Sequence, residues 1–255
     1  MNTNGNVYTV IYTAIVVIVV AAALAFTAMT LAPKQDANVK AETLTQMMTA
    51  AGIETAAESN DAVLQKYSDE IAEAFVVNLK GEKVRDLGTE KSGIELIDNL
   101  KPQNVAITKG GEPTLPVYIF KSGVTVIPCY GAGLWGPIWG YIALQPDLRT
   151  IAGAYFDHSS ETPGLGAKIK DDPSFRAQFV GKKLDLDAAK AFSIVKRGAP
   201  EGAESAVDAI TGASITSQKL GESINTWVAA YAEYLRNNVV AENVAENVAE
   251  TSTEE

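Results

Sequence analysis

The chain has 255 residues, 47% of them hydrophobic, and a formal net charge of -10 with one cysteine and one histidine. This acidity argues against nucleic-acid binding, which needs a basic surface to displace counterions from the phosphates. The single cysteine, Cys129, excludes disulfides within the chain, cysteine-rich zinc sites and cysteine-ligated iron–sulfur clusters. Redox chemistry would therefore need a borrowed cofactor, and we predict no metal site and no catalytic residue.

An uncharged apolar segment lies near the N-terminus. Residues 7–32 carry no charged side chain, and about 26 residues at 1.5 Å each give roughly 39 Å, enough to cross a bilayer. A cleaved signal peptide is the alternative, but the flank at residues 1–6 has no basic residue and the apolar stretch is long for such a signal. We therefore predict a retained transmembrane helix at residues 7–32.

The segments after the apolar stretch alternate between helical and extended patterns. Residues 40–51 and 61–77 have apolar residues at helical spacing, the second with Leu64, Tyr67, Ile71 and Phe75 on one face. Four β-like runs, bounded by Gly, Pro and Asp turn signals as in a meander, follow at 117–120, 124–127, 138–144 and 151–156.

Two further helices are predicted in the C-terminal half. Residues 173–179 indicate a short helix and residues 218–237 a long one. The long helix should pack on the sheet through an apolar stripe at three- and four-residue spacing: Leu220, Ile224, Trp227, Tyr231 and Leu235. Residues 33–238 then form one globular domain, and the acidic, repetitive tail at 239–255 either prolongs the helix or stays disordered.

Hydroxyl and small side chains are concentrated just before the long helix, in the stretch from Asp208 to Ser217. Free backbone N–H groups and the dipole at a helix N-terminus stabilise a phosphate, and Gly212 and Ala213 leave room for close approach. Helix capping by Thr216 or Ser217 is the simpler alternative. Composition alone does not decide between a phosphate site and a cap.

A second stretch, Glu161-Thr-Pro-Gly-Leu-Gly166, has the composition of a stiffened loop. Pro163 restricts the backbone, and Gly164 and Gly166 would allow it to lie against a flat ligand. As an isolated string it is an ordinary turn. Its interest comes from its combination with the hydroxyl-rich segment.

The hydroxyl-rich stretch resembles the flavinylation motif D-x-x-[ST]-G-A-[ST]-x-T-S of the FMN-binding domain family. In that family FMN is esterified to the hydroxyl after Gly-Ala, so the resemblance implies a covalent FMN phosphoester on Ser214, where threonine is more usual. Asp208 would match the acidic residue that the attaching flavin transferase requires, and Thr211 the first hydroxyl of the motif.

Two more stretches resemble the same family. The loop Glu161–Gly166 matches a second signature, and residues 131–141 contain a GLW segment typical of the sodium-pumping NADH:quinone reductase branch rather than of the Rnf branch. The resemblance implies that Trp135 packs beside the flavin, that Thr162 donates to it and that Lys168 offsets charge on the reduced ring. The cofactor-binding residues so implied, besides Ser214, are Thr211, Gly212, Ala213, Thr216, Asp208, Trp135, Glu161, Thr162, Gly164, Leu165, Gly166 and Lys168.

The resemblance also implies a fold and a function. The expected fold is an α+β domain with a largely antiparallel sheet packed by helices, carried on one N-terminal transmembrane helix. The expected function is electron transfer by FMN from NADH toward quinone, coupled to sodium export, in the bacterial inner membrane. The implied partners are the other subunits of the complex, a flavin transferase and membrane lipid.

The side of the membrane is indicated differently by two signals. Lys34 and Lys40 follow the apolar segment and by the positive-inside rule place the domain in the cytoplasm. The resemblance implies the periplasmic side, which we follow because two lysines are a small bias. An Rnf-type subunit or another flavinylated reductase is the alternative function, and a membrane-tethered binding module without cofactor is the alternative of a different class.

Four other side chains have simpler interpretations. We expect Cys129 to be a small buried hydrophobe. His158 should be a hydrogen-bonded residue before a loop rather than a proton donor. Trp139 and Tyr141 should lie in a strand and fill the core.

Overall fold

The structure is a computed structural model that describes residues 5–55 and 59–251, with side chains described as far as residue 238. The first four residues of the predicted N-terminal flank and the last four of the tail lie outside the described residues. The chain divides into two units, one ending at Glu42 and the other beginning at Thr43. Each is described by itself.

The N-terminal unit is helical. Helix α1 (Asn6–Ala50) contains the predicted apolar segment and continues through Pro33, so the helical pattern at residues 40–51 belongs to the same helix. Among the described residues, α1 is the one helix that by length and composition could cross a membrane.

The prediction of a helix through residue 77 was wrong. Helix α2 (Asn60–Glu70) begins after Ser59, whose Oγ accepts a hydrogen bond from the Ala62 amide at 3.3 Å, and ends where strand β1 (Ile71–Val77) begins. The strand pairs on both sides with neighbouring strands. Ladder pairing and burial between two neighbours thus outweigh an apolar spacing that a helix could equally have used.

One antiparallel sheet organises the second unit, as expected for the predicted α+β fold. Its strand order is β2-β1-β3-β4-β5-β6, and the last four strands confirm the predicted meander. The remaining strands are β2 (Lys83–Asp86), β3 (Leu115–Phe120), β4 (Thr125–Ala132), β5 (Pro137–Leu144) and β6 (Ile151–His158).

Short elements connect the strands and lead to the C-terminal helix. A 3-10 turn (Lys91–Gly93) and α3 (Leu100–Lys109) lie between β2 and β3. After β6 come α4 (Lys168–Asp171), the predicted short helix α5 (Pro173–Ala177), the parallel pair β7 (Ser193–Val195) and β8 (Ala206–Asp208), and α6 (Ser214–Thr251).

Helix α6 packs on the sheet through the predicted stripe. Each of its five apolar residues is buried. The Trp227 indole nitrogen donates to the Tyr130 carbonyl at 2.9 Å, and the Tyr231 hydroxyl donates to the Pro116 carbonyl at 2.6 Å. These contacts fix the helix against β3 and β4, and with it the position of its first residue, Ser214.

Candidate functional site

Three loops meet beside the first turn of α6. They are the turn 133–136 between β4 and β5, the loop 159–167 after β6 and the turn 209–213 before α6. Each carries one of the motifs noted in the sequence. The fold therefore brings together segments that are far apart in the chain.

The carboxylate of Glu161 lies at the centre of this meeting point. One oxygen, Oε1, accepts hydrogen bonds from the amides of Leu134 at 2.7 Å and Trp135 at 3.0 Å. The other, Oε2, accepts a 2.7 Å hydrogen bond from the Thr216 hydroxyl on α6. Glu161 is only 4% exposed and Thr216 1% exposed. We call Glu161 and these three partners the Glu161 cluster.

Two glycines make room for this carboxylate. A Cβ on Gly133 would lie 2.4 Å from Glu161 Oε1, and one on Gly166 would lie 2.4 Å from Oε2 and 2.7 Å from Thr216 Oγ1. Distances below 3.0 Å are not found for real Cβ atoms. Gly166 is therefore required by packing against protein, whereas the sequence suggested close approach to a ligand.

The second and third loops also touch directly. Gly212 has a φ of +83°, and a Cβ there would lie 2.9 Å from the Leu165 Cδ2 methyl carbon. Gly164 in the opposite loop also has a positive φ, +74°. Both turns use conformations that glycine adopts without strain, and they bring the two predicted motif segments into contact.

The four hydroxyls between Thr211 and Ser217 have different environments. Thr216 donates to Glu161, while the fully buried Ser217 Oγ accepts from the Ile210 amide at 3.0 Å. Thr211 is exposed and Ser214 is half-buried at the first position of α6, directly after the buried Ala213. The predicted capping function is thus filled in part by Ser217, and Ser214 lies at the helix end where backbone N–H groups are free.

Apolar side chains project from all three loops into solvent. Leu134, Trp135, Leu165 and Ile215 are between 43% and 67% exposed, and we call them the apolar patch. Ser160 fixes the backbone of this patch by donating from Oγ to the Trp135 carbonyl at 3.1 Å. The sequence analysis did not include Leu134 or Ile215, although Ile215 lies off the buried stripe of α6, where a polar residue is usual.

The other predicted site residues make their contacts outside the Glu161 cluster. Asp208, exposed at the end of β8, accepts from the Ala199 amide at 2.7 Å through Oδ1. The Thr162 side chain is exposed, while its carbonyl accepts from the Leu165 and Ala167 amides, each at 3.1 Å. Lys168 is half-buried at the first position of α4.

Simple interpretations hold for the remaining side chains. His158 Nδ1 accepts a 3.2 Å hydrogen bond from the Glu161 amide, so it is the expected hydrogen-bonded residue before the loop. Cys129 is buried, and burial raises the pKa of its thiol to about 12, which leaves the thiol protonated and unreactive. Trp139 and Tyr141 lie in β5, half-buried and buried respectively.

Comparison with known proteins supports the family indicated by the motifs. The FMN-binding domain family matches residues 133–229. The NqrC subunit of the Na(+)-translocating NADH-quinone reductase from Vibrio parahaemolyticus is 31% identical over 212 residues, which cover 76% of this chain and 80% of that protein. Its counterpart from Vibrio anguillarum is 40% identical over 117 residues, 44% of this chain, and the chain spans 46% of that relative's length.

Two solved structures resemble the chain. The crystal structure of the NqrC subunit of the Na(+)-translocating NADH-quinone reductase from Parabacteroides distasonis has a TM-score of 0.66 and 32% identity, covering 80% of this chain and 96% of that one. Shewanella oneidensis NqrC has a TM-score of 0.62 and 26% identity, covering 77% and 96%. The chain belongs to the NqrC family, whose members are subunits of the Na(+)-translocating NADH-quinone reductases.

Proposed function

We propose that this chain is the electron-transfer subunit of a membrane Na(+)-translocating NADH:quinone reductase and that it holds FMN as a phosphoester on Ser214. The observation that carries this proposal is the position of Ser214. It begins a long helix, in the contact zone of all three motif-bearing loops, with an apolar patch exposed beside it.

The environments of the four hydroxyls favour Ser214 as the attachment residue. Thr216 and Ser217 are buried and already hydrogen-bonded within the protein, so a phosphoester on either would have to displace core contacts. At Ser214 the phosphate would meet the free N–H groups and the positive end of the α6 dipole. Thr211 is exposed but precedes the helix.

The apolar patch suits the ring of the flavin. An exposed Trp135 with Leu134, Leu165 and Ile215 nearby offers apolar surface that a soluble domain would otherwise bury. Thr162 could donate to the polar edge of the ring, and Lys168 would offset its negative charge when reduced. Thr211, Gly212, Ala213, Gly164 and Gly166 shape the loops, and Asp208, six residues before Ser214, would serve recognition by the flavin transferase.

Bound FMN would supply reversible one- and two-electron transfer, which the side chains of this protein cannot provide. The protein's part is to attach, orient and partly shield the ring. In the complex we infer that electrons originating from NADH pass through this site toward quinone, coupled to sodium export. The residues that precede Thr43 would anchor the chain in the inner membrane by way of α1, with the domain on the periplasmic side, in contact with lipid and with other subunits.

Covalent attachment has a physical reason in that location. A reversibly bound cofactor would be diluted into the space outside the cytoplasm, whereas an ester keeps its local concentration constant. Attachment by a flavin transferase before use fits this requirement.

The test uses protein isolated from its native membrane. A denatured band should fluoresce under ultraviolet light, and peptide mass spectrometry should find one FMN less one water on Ser214. Ser214→Ala should abolish both signals, and Ser214→Thr should retain them. A label on Thr211 or Thr216 would relocate the site, and absence of any adduct from Thr211 to Ser217 would leave the cofactor-free binding module as the better interpretation.

A further inference from the structure

We propose that Glu161 is a positioning residue: the length of its side chain, rather than its charge, holds the Trp135 turn against the first turn of α6. This inference deepens the proposed function and rests on it, since the flavin site lies between these two elements. Glu161 itself need not touch the cofactor. Both of its carboxylate oxygens already bind protein groups.

The hydrogen bonds of the Glu161 cluster connect parts of the chain that no other motif residue connects so directly. The carboxylate spans from the amides of Leu134 and Trp135 to the hydroxyl of Thr216, over sequence separations of 26 to 55 residues. The two amides belong to a hairpin turn whose side chains are exposed. Without an internal acceptor these amides would be free to exchange with water.

The surroundings of Glu161 restrict it to this arrangement. Gly133 and Gly166 leave no space for a Cβ at either oxygen. The Glu161 backbone is fixed by its amide, which donates to His158 Nδ1. The side chain therefore bridges a set distance from a set anchor point, which makes its length the critical property.

Two variants separate length from charge. Glu161→Gln keeps the length and removes the charge: its carbonyl oxygen can accept the two amides while its NH₂ donates to the Thr216 oxygen. Glu161→Asp keeps the charge but loses ~1.5 Å of reach, so it cannot serve both ends. Glu161→Ala removes the bridge altogether, and Glu222→Gln, on the exposed part of α6, is the matched control.

The first measurement is hydrogen exchange in the full chain made without the flavin transferase. The Leu134 and Trp135 amides should exchange roughly tenfold faster in Glu161→Ala and Glu161→Asp than in the wild type. Glu161→Gln should stay within about threefold, and Glu222→Gln should not differ. Because this measurement needs no flavin, it tests the bridge even if the proposed function fails.

The second measurement follows co-expression with the transferase. The fraction of Ser214 that carries FMN should fall several-fold in Glu161→Ala and Glu161→Asp, and be retained in Glu161→Gln. The emission of the attached flavin should rise in the first two variants, because Trp135 no longer lies in a fixed position beside it. A structural defect elsewhere would not follow this order.

One further variant guards against misfolding. If Glu161→Asp fails to fold, Thr216→Val removes only the α6 end of the bridge at nearly constant volume; the Leu134 and Trp135 amides should stay protected while flavin attachment falls. The inference is overturned if Glu161→Asp behaves as wild type while Glu161→Gln behaves as Glu161→Ala, or if amide exchange is unchanged in Glu161→Ala. Wild-type protein without FMN would instead overturn the proposed function.

Discussion

Two carboxylates four residues apart, Asp157 and Glu161, are both buried but are satisfied in different ways. Asp157 is 2% exposed and accepts from Lys170 Nζ at 2.8 Å, Gln46 Nε2 at 2.9 Å and the His158 amide at 2.7 Å. The partners of Glu161 are two amides and a hydroxyl, all neutral. The first group joins elements of the scaffold, and the second joins exposed loops.

The Asp157 group also extends into the sheet. Gln46 accepts through Oε1 from the Trp139 indole nitrogen at 3.1 Å, so one chain of hydrogen bonds connects β5, β6, α4 and the last turns of α1. We therefore expect Asp157 to contribute mainly to global stability. Glu161, whose partners include the exposed hairpin turn, should act mainly on local order at the site.

The largest expected effect is that of Asp157→Ala. It removes the carboxylate from Lys170 and from a buried Gln46 amide, and should lower the free energy of unfolding by about 2–4 kcal/mol. The lower end reflects Lys170, whose side chain is 36% exposed and can turn toward water. Chemical denaturation of the domain measures it, with Asp157→Asn expected in between.

Glu161→Ala should have a smaller global effect. The hairpin turn can relax toward solvent, so we expect a loss of about 1–3 kcal/mol in the free energy of unfolding. The same denaturation series measures it. The distinction between scaffold and site would be wrong if Glu161→Ala destabilised the domain more than Asp157→Ala.

The contrast also marks what sequence can predict. The α6 stripe and the β3 to β6 meander depend on local periodicity, and both predictions were confirmed. The strand character of Ile71–Val77 depends on pairing with β2 and β3, which residue spacing does not encode. Local pattern therefore found the elements and missed this boundary.

The candidate site shows the same limit. The motif segments were identified from sequence, but the central position of Glu161 was not, because its partners are 26 to 55 residues away. Likewise Gly166 looked like a place for ligand approach, whereas a Cβ there would meet Glu161 and Thr216. Which group a motif residue faces is set by tertiary packing.

Tyr67 extends the comparison to a buried polar group without a partner. Within the described part of the chain its hydroxyl is buried and makes no hydrogen bond. Tyr67→Phe removes that cost and should raise the free energy of unfolding by about 0.5–1 kcal/mol.

Tyr118→Phe is the matched control for Tyr67→Phe, because the Tyr118 hydroxyl accepts from the Ile97 amide at 3.3 Å. It should destabilise the domain instead, as measured in the same denaturation series. A loss of stability in Tyr67→Phe would show that its hydroxyl is satisfied after all.

Asp147 gives the exposed limit of the comparison and the smallest effect. Partial burial by itself would raise the pKa of Asp147, but hydrogen bonds from the Thr150 hydroxyl and from the Thr150 and Arg149 amides outweigh it, so the pKa lies below its ordinary value. A lowered pKa stabilises the folded state above the unfolded value, about 3.9, and this stability is lost as pH falls through the folded value.

Asp147→Asn should therefore flatten the loss of stability below about pH 4 by only ~0.5 kcal/mol, because solvent screens this turn. Unfolding measured from pH 7 to pH 2 tests this, with the difference between the variant and the wild type confined to the acid end. An equal difference at neutral pH and at pH 2 would mean that the turn is stabilised by the geometry of its hydrogen bonds, and that exposure removes the charge contribution which distinguishes Asp157 from Glu161 in the interior.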